Sequence, residues 1–275
     1  MGAVRILMYH RISDAPEPDL SPYFRLNTSP KRFSEHMQFL RDGGYCVLDL
    51  CDALHSLRDG TLGPNHVVIT FDDGYADFAD YAFPVLARHS FTATVFLPSA
   101  FIGEQPLSFR NTPCLTWSQV KTLRTAGIRF GSHTVNHPKL VQLPWPQIEA
   151  ELAQSKRELE EQLDEAVTTF AYPYAWPEGN LPYTQRFSHL IKALGYECCL
   201  TTRIGIAHKK DNLFALRRLP VNDCDDLGLL RAKLEGAYDW LALPQSLLKR
   251  KHTSPTGFEA ETVASLRPDS DFQRL

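Results

Sequence analysis

No run of about 18 apolar residues occurs anywhere in the 275-residue chain, so nothing in it reads as a membrane-spanning helix. An excess of positive charge is also missing. The 29 Lys and Arg residues are outnumbered by 32 Asp and Glu, a net charge of -3, which gives no electrostatic footprint for a nucleic-acid partner. The opening residues, MGAVRILMYH, lack the long apolar segment of a secretory leader. Ile6 stands where a myristoylation signal needs Ser or Thr. Cys46, Cys51, Cys114, Cys198, Cys199 and Cys224 contain no CxxC pair. Reduced, structural thiols in a cytoplasmic protein are therefore expected.

What is present is an alternation of strand-like and helix-like segments. The apolar runs VRILMYH, HVVITF, TATVFLP, IRFGSHT, VTTFAYP, YECCLTT and LFALRRLPV read as buried strands, with CVLDL as a shorter one. Between them lie amphipathic stretches. In SPKRFSEHMQFLRDGGY, Ser29 is a candidate N-cap and Pro30 a first helical residue; Phe33, Met37 and Leu40 share one face. YADFADYAFPVLARH is helical but interrupted by Pro84, and TWSQVKTLRTAG starts at Thr116. PWPQIEAELAQSKRELEEQL places Ile148, Leu152, Leu159 and Leu163 on one side. YTQRFSHLIKALG and DDLGLLRAKLEGAYDWL complete the set. Seven or eight strand–helix units predict an α/β fold, a closed or nearly closed (β/α) barrel of parallel strands. One domain over 1–252 is expected, followed by a polar tail over 253–275.

In such a barrel, chemistry gathers at the carboxyl ends of the strands. Four groups fall there: His10 after RILMY, Asp72 and Asp73 after HVVITF, His133 and His137 in HTVNH, and Tyr172, Pro173 and Tyr174 in AYPY. Two His residues four apart with one carboxylate suit a divalent cation, Zn²⁺ first among them, with Co²⁺ or Ni²⁺ also compatible. A second carboxylate beside that cation can accept a proton from water as a general base. The cation also allows two adjacent carboxylates to stay ionised.

At these residues the sequence resembles the polysaccharide deacetylase (NodB-homology, carbohydrate esterase family 4) group. TFDDG stands at 70–74 and HTVNH at 133–137, both intact; AYPY at 171–174 takes the place of Arg-x-Pro-Tyr. The resemblance implies a distorted, NodB-like barrel that removes N-acetyl groups from amino-sugar polymers with one divalent metal. It implies Asp72 as base, Asp73, His133 and His137 as metal ligands, and the backbone N–H of Tyr174 as oxyanion donor. Tyr172, Pro173, Trp176 and Arg218 are the expected substrate contacts. Ala171 departs from the family Arg that steadies the base, for which Arg217 or Arg218 is a substitute from the last strand. A late Leu-x-His motif is absent. The Tyr-His ending of the first strand resembles poly-N-acetylglucosamine deacetylases with a permuted strand order, which implies His10 as general acid; His208 is the rival.

The expected partner is an acetylated amino sugar rather than nucleic acid. Without a leader, a lipid-linked or short precursor near the inner membrane face is the accessible form. A hydrolase of another non-peptide C–N bond and an inactive carbohydrate-binding module are the alternatives.

Overall fold

The computed structural model describes residues 2–15 and 25–237. The expected tail, the end of the expected 1–252 domain and the close of the last expected helix lie outside these residues.

Seven strands make the barrel: β1 (Ala3–Tyr9), β2 (His66–Phe71), β3 (Thr94–Leu97), β4 (Arg129–Ser132), β5 (Thr169–Ala171), β6 (Cys198–Ile204) and β7 (Leu216–Pro220). They follow one another around the ring in chain order, each parallel to its neighbours. Closure runs through β1. It pairs with β2 from Arg5↔Val67 to Tyr9↔Phe71, and with β7 at Leu7↔Leu219 and Met8↔Pro220. A ring leaves no open edge in the parallel sheet. Two short additions flank it: Cys46–Val47 beside β2, and Ala207–His208 antiparallel to the start of β1.

The strands read as near-continuous apolar runs because both faces are buried. One face carries Ile6, Val68, Phe96, Ala171, Leu200 and Leu216, which share an apolar cluster with Leu50, Ala53, Leu54 and Leu57 of α2 (Leu50–Asp59). That helix covers the amino ends of the strands, with Cys51 beside Thr168 and Leu57 beside Gly2. The other face packs against α1 (Pro30–Asp42), α3 (Phe83–His89), α4 (Trp117–Thr125), α5 (Trp145–Leu163), α6 (Leu181–Ala193) and α7 (Leu227–Leu234). Ser29 caps α1, and Thr116 with Gln119 forms a capping box on α4. The residues expected on the inner faces of α1 and α5 are all buried there.

Three boundaries differ from the sequence reading. Asp49 N-caps α2 and ends the CVLDL strand after Val47. A π-turn over Phe78–Ala82 precedes α3, and Pro84 sits in the first turn of α3, where its missing N–H costs nothing. A small hairpin, Ser108–Phe109 with Thr112–Pro113, rises from the long β3–α4 connection. No helix among the described residues is long and apolar enough to cross a membrane.

Gly131 marks a tight point in the barrel wall. A Cβ there would lie 2.5 Å from both Phe96 Cε1 and Thr169 Oγ1. Gly131→Ala is therefore expected to cost about 1–3 kcal/mol of stability by overpacking. Urea denaturation checks this; parental stability in the variant would mean that the wall relaxes freely.

Candidate metal centre and its buried carboxylate

Asp72 and Asp73 leave β2 in different directions. Side-chain alternation puts Val68, Thr70 and Asp72 on the barrel-interior face, the face that Arg218 shares with Leu216 on β7. Arg218 is 0% exposed and Asp72 3%. Their contact is bidentate: Nη1 donates to Asp72 Oδ1 and Nη2 to Oδ2, both at 2.7 Å. Arg218 also donates through Nε to Thr201 O and through Nη1 to Thr70 Oγ1. Burial pushes the Asp72 carboxyl up, but the Arg218 guanidinium and the neighbouring His133 outweigh it, so its pKa lies below the ordinary value. Of the two arginines considered as substitutes for the missing motif Arg, Arg218 is the one beside Asp72. Its side chain is committed to that carboxylate inside the barrel, which corrects the expectation that it touches substrate.

Asp73 breaks the alternation with a left-handed φ of 72°. This turns its carboxylate toward the β4 end. Gly74 follows with φ 63°, and a Cβ there would meet Leu97 Cδ2 at 2.7 Å, so the turn needs glycine. Asp73 Oδ1 lies 3.2 Å from His137 Nε2 and 3.5 Å from His133 Nε2, and the two Nε2 atoms are 3.2 Å apart. Burial raises the Asp73 carboxyl, yet the two imidazoles hold it well below its usual range. For His133, burial is outweighed by Asp73 and Asp72 and the pKa rises; for His137 burial wins and it falls.

These donors fit a divalent cation. The three ligand atoms lie within 4.8 Å of one another and all three residues are buried. Asp73 Oδ1 is buried and, among the described residues, makes no hydrogen bond of good geometry, although both imidazole Nε2 atoms stand close to it. His133 Nδ1 donates to Ala171 O at 2.7 Å, which fixes the tautomer with Nε2 free to ligate. One carboxylate and two imidazoles are the donor set of zinc and its transition-metal neighbours.

The loop between the histidines is held from three sides. Ser99 N–H and Ala100 N–H donate to the carbonyls of Thr134 and Val135. Thr134 Oγ1 accepts from His137 N. From α5, Glu151 accepts from Val135 N, Asn136 N and Asn136 Nδ2 at 2.7–2.9 Å. Thr134 and His137 both have left-handed φ, 71° and 53°. Sequence reasoning missed Glu151, whose place on a long polar helix looks like ordinary solvation.

His10 follows β1 between the strand ends that carry Asp72 and Arg218. Its imidazole senses Asp73, Asp72, Arg218 and His133; burial draws its pKa below the ordinary value against the pull of the two carboxylates. The preceding Tyr9 is anchored through its hydroxyl to His36 Nδ1 at 3.0 Å, and His36 Nε2 bonds Asp225 O at 2.7 Å. The rival His208 pairs with Ala3 at the other end of β1, away from the cluster.

The AYPY segment divides. Tyr174, 37% exposed with φ 58°, lays its ring 4.7 Å from that of His137. Its N–H has no acceptor among the described residues. Pro173 is buried. Tyr172 is buried too, its hydroxyl bonded to Tyr183 and its ring edge-on to Phe187. Trp176 is 4% exposed, edge-on to Tyr172 and Phe187. The rings of Tyr172 and Trp176 belong to the core, which corrects their expected role as sugar contacts.

Removing the Arg218 guanidinium leaves Asp72 as an unpaired buried charge. Arg218→Met is expected to cost about 3–5 kcal/mol at neutral pH. Adding Asp72→Asn should recover a large part of that loss in a double-mutant cycle measured by urea denaturation; strictly additive costs would mean the pair is not coupled. Glu151→Ala should weaken zinc binding about 10–100-fold by calorimetry, with Glu151→Asp retaining more of it. Equal affinity in Glu151→Ala and parent would show that the loop holds its shape without the clamp.

A family model described as polysaccharide deacetylase matches residues 59–199, just over half of the chain. The YxkH protein of Bacillus subtilis (strain 168), named for the same family, is 32% identical over 218 residues, 79% of this chain and 71% of that one. The poly-beta-1,6-N-acetyl-D-glucosamine N-deacetylase of Staphylococcus aureus is 25% identical over 61% of this chain; the match spans 63% of that protein's length, under two thirds. Among solved structures, the Streptococcus pyogenes deacetylase PplD in complex with acetate superposes with a TM-score of 0.72 at 28% identity, covering 84% of this chain and 98% of that one. With the barrel, the motif geometry and both sequence matches in agreement, the chain belongs to the polysaccharide deacetylase family.

Proposed function

We propose that this chain is a divalent-metal-dependent N-deacetylase of acetylated amino sugars. The observation that carries the reading is the pairing of two different carboxylates at one barrel mouth. Asp73 faces two histidines as a ligand, and Asp72 is held ionised by Arg218 as a base.

Asp73, His133 and His137 would hold the metal, with Zn²⁺ the best match to the donors and Co²⁺ or Ni²⁺ acceptable. When bound, the cation supplies Lewis-acid polarisation of the acetamide carbonyl and makes nearby water more acidic. Asp72, kept ionised and fixed in direction by two hydrogen bonds, takes a proton from the attacking water. A C–O bond forms at the acetyl carbon. The Tyr174 N–H is the available donor to the oxyanion that develops. His10 gives a proton to the nitrogen as the C–N bond breaks, which leaves acetate and a free amine. Its lowered pKa makes the imidazolium a ready proton donor.

The substrate class follows from the family and from the name of the S. aureus relative, an enzyme of an N-acetylglucosamine polymer. Acetate, held by PplD, is the acid that this reaction releases. The reading as a hydrolase of another C–N bond drew on the missing motif Arg, and Arg218 on Asp72 removes that reason. A binding module has no use for an arginine-held carboxylate beside a ligand cluster.

Acetate release from N-acetylglucosamine oligomers by the zinc-loaded protein tests the proposal. Asp72→Asn should lower turnover about 10²–10⁴-fold with zinc binding retained. His133→Ala should lose zinc and turnover together. His10→Gln should slow the reaction and remove the fall in rate on the alkaline side, which requires the protonated imidazole. A near-parental rate in Asp72→Asn, or unchanged zinc content in His133→Ala, would overturn the assignment.

A further inference from the structure

The hairpin that rises from the β3–α4 connection carries two residues at its tip, Arg110 and Asn111, with φ of 51° and 60°. Two successive left-handed residues make the tight turn whose twist suits a two-residue hairpin. The turn aims the Arg110 side chain back over the barrel mouth. Its guanidinium lies 5.0 Å from the Phe109 ring centre and 5.3 Å from that of Tyr174, and Nη2 donates to Tyr174 Oη at 2.8 Å. From the other side, Lys139 Nζ stands 5.6 Å from the same Tyr174 ring. Phe109 and Tyr174 both pack on His137, at 5.0 and 4.7 Å between ring centres. Two cations thus converge one ring away from a ligand of the metal cluster.

Neither cation is neutralised locally. Among the described residues, no carboxylate lies within ion-pair distance of Arg110 or Lys139. Nearby Arg11, over the Tyr75 ring, is by contrast paired with Asp77 at 3.1 Å. The Asp73 charge is sensed at Arg110 but belongs to the ligand cluster. Cation–π contacts orient the guanidinium and leave most of its N–H donors open. Such a fork suits the paired oxygens of a phosphate or carboxylate, and the lysine adds a point charge.

We propose that Arg110, Lys139 and Tyr174 form an oxyanion-binding rim that selects acetamido sugars bearing a phosphate or carboxylate beside the acetamido group. The inference rests on the deacetylase reading and narrows its substrate class. With the acetamide over Asp73, His133 and His137, substituents on the neighbouring sugar carbons pass across Tyr174. A neutral hydroxyl there leaves both cations unmatched; an oxyanion engages them.

The test compares kcat/KM of the zinc-loaded protein on three probes: neutral N-acetylglucosamine oligomers, N-acetylglucosamine 1-phosphate, and the 3-O-carboxymethyl ether of N-acetylglucosamine. One or both anionic probes should be preferred by about tenfold or more, and which one leads identifies the source of the oxyanion. The preference should collapse in Arg110→Gln/Lys139→Gln and survive largely in Arg110→Lys. Equal or better use of neutral sugars by the parent, or an unchanged ratio in the double variant, would overturn the proposal. Calorimetric binding of N-acetylglucosamine 1-phosphate separates the two readings. Binding lost in the double variant without acetate release from any probe would keep the rim and refute deacetylation. Acetate from neutral oligomers without anion binding would do the reverse.

Discussion

The pairing of Arg218 with Asp72 is the constraint around which the mouth of the barrel is arranged. A carboxylate inside an apolar ring loses hydration worth several kcal/mol, and so does a guanidinium. Neither is tolerable alone. Together, with two short parallel hydrogen bonds and further donors to Thr201 O and Thr70 Oγ1, they satisfy each other. The pair also ties β7 to β2 across β1. The ring is therefore closed twice, by the backbone ladder and by an ion pair inside it. A buried pair of this kind adds little net stability compared with good apolar packing. Its consequence is chemical: the carboxylate is held ionised and fixed by two hydrogen bonds from one guanidinium.

Around this fixed carboxylate the backbone holds unfavourable conformations. Asp73, Thr134, His137 and Tyr174 all have left-handed φ without being glycine, a cost of about 1–3 kcal/mol each in poorly populated regions. These four are a proposed ligand, a residue between two proposed ligands, a second proposed ligand and the proposed oxyanion donor. The surrounding contacts over-determine each of them. Glu151 and the Ser99–Ala100 backbone clamp the histidine loop, and Gly74 lets Leu97 press against the Asp73 turn. The strain is concentrated where side chains must meet at one point from different strand ends.

The barrel was legible because both faces of a parallel strand are buried, so the strands show as apolar runs, several of which end at polar residues. That rule singles out His10, Asp72 with Asp73, His133 with His137, and Tyr172 to Tyr174 as groups; the roles within them came from the family resemblance. What escaped lies in contacts that no local pattern encodes. Arg217 and Arg218 are adjacent, and only the strand register decides which faces the interior; alternation with Leu216 selects Arg218. Trp176 and Tyr172 look like sugar platforms by position, but α6 covers them and leaves their rings in the core. The hairpin at 108–113 has strands of two residues each, too short for any periodicity. Glu151 sits on a helix full of charges, and nothing in the sequence separates it from Glu149 or Glu158.

Chain order explains the placement of His10. Because β1 lies between β2 and β7, the residue that follows it emerges between the carboxylate and the arginine that holds it. No long connection is needed to bring an imidazole there. A chain that began at β2 would have to supply this group from a strand added after β7. In this chain β1 carries it, and Tyr9 is pinned through His36 to the backbone of Asp225 before α7. The first strand is therefore both the closing stave of the barrel and the carrier of the proposed proton donor. Its anchoring hydrogen bonds reach Asp225, so the position of His10 depends on contacts between the first strand and the segment that leads into α7.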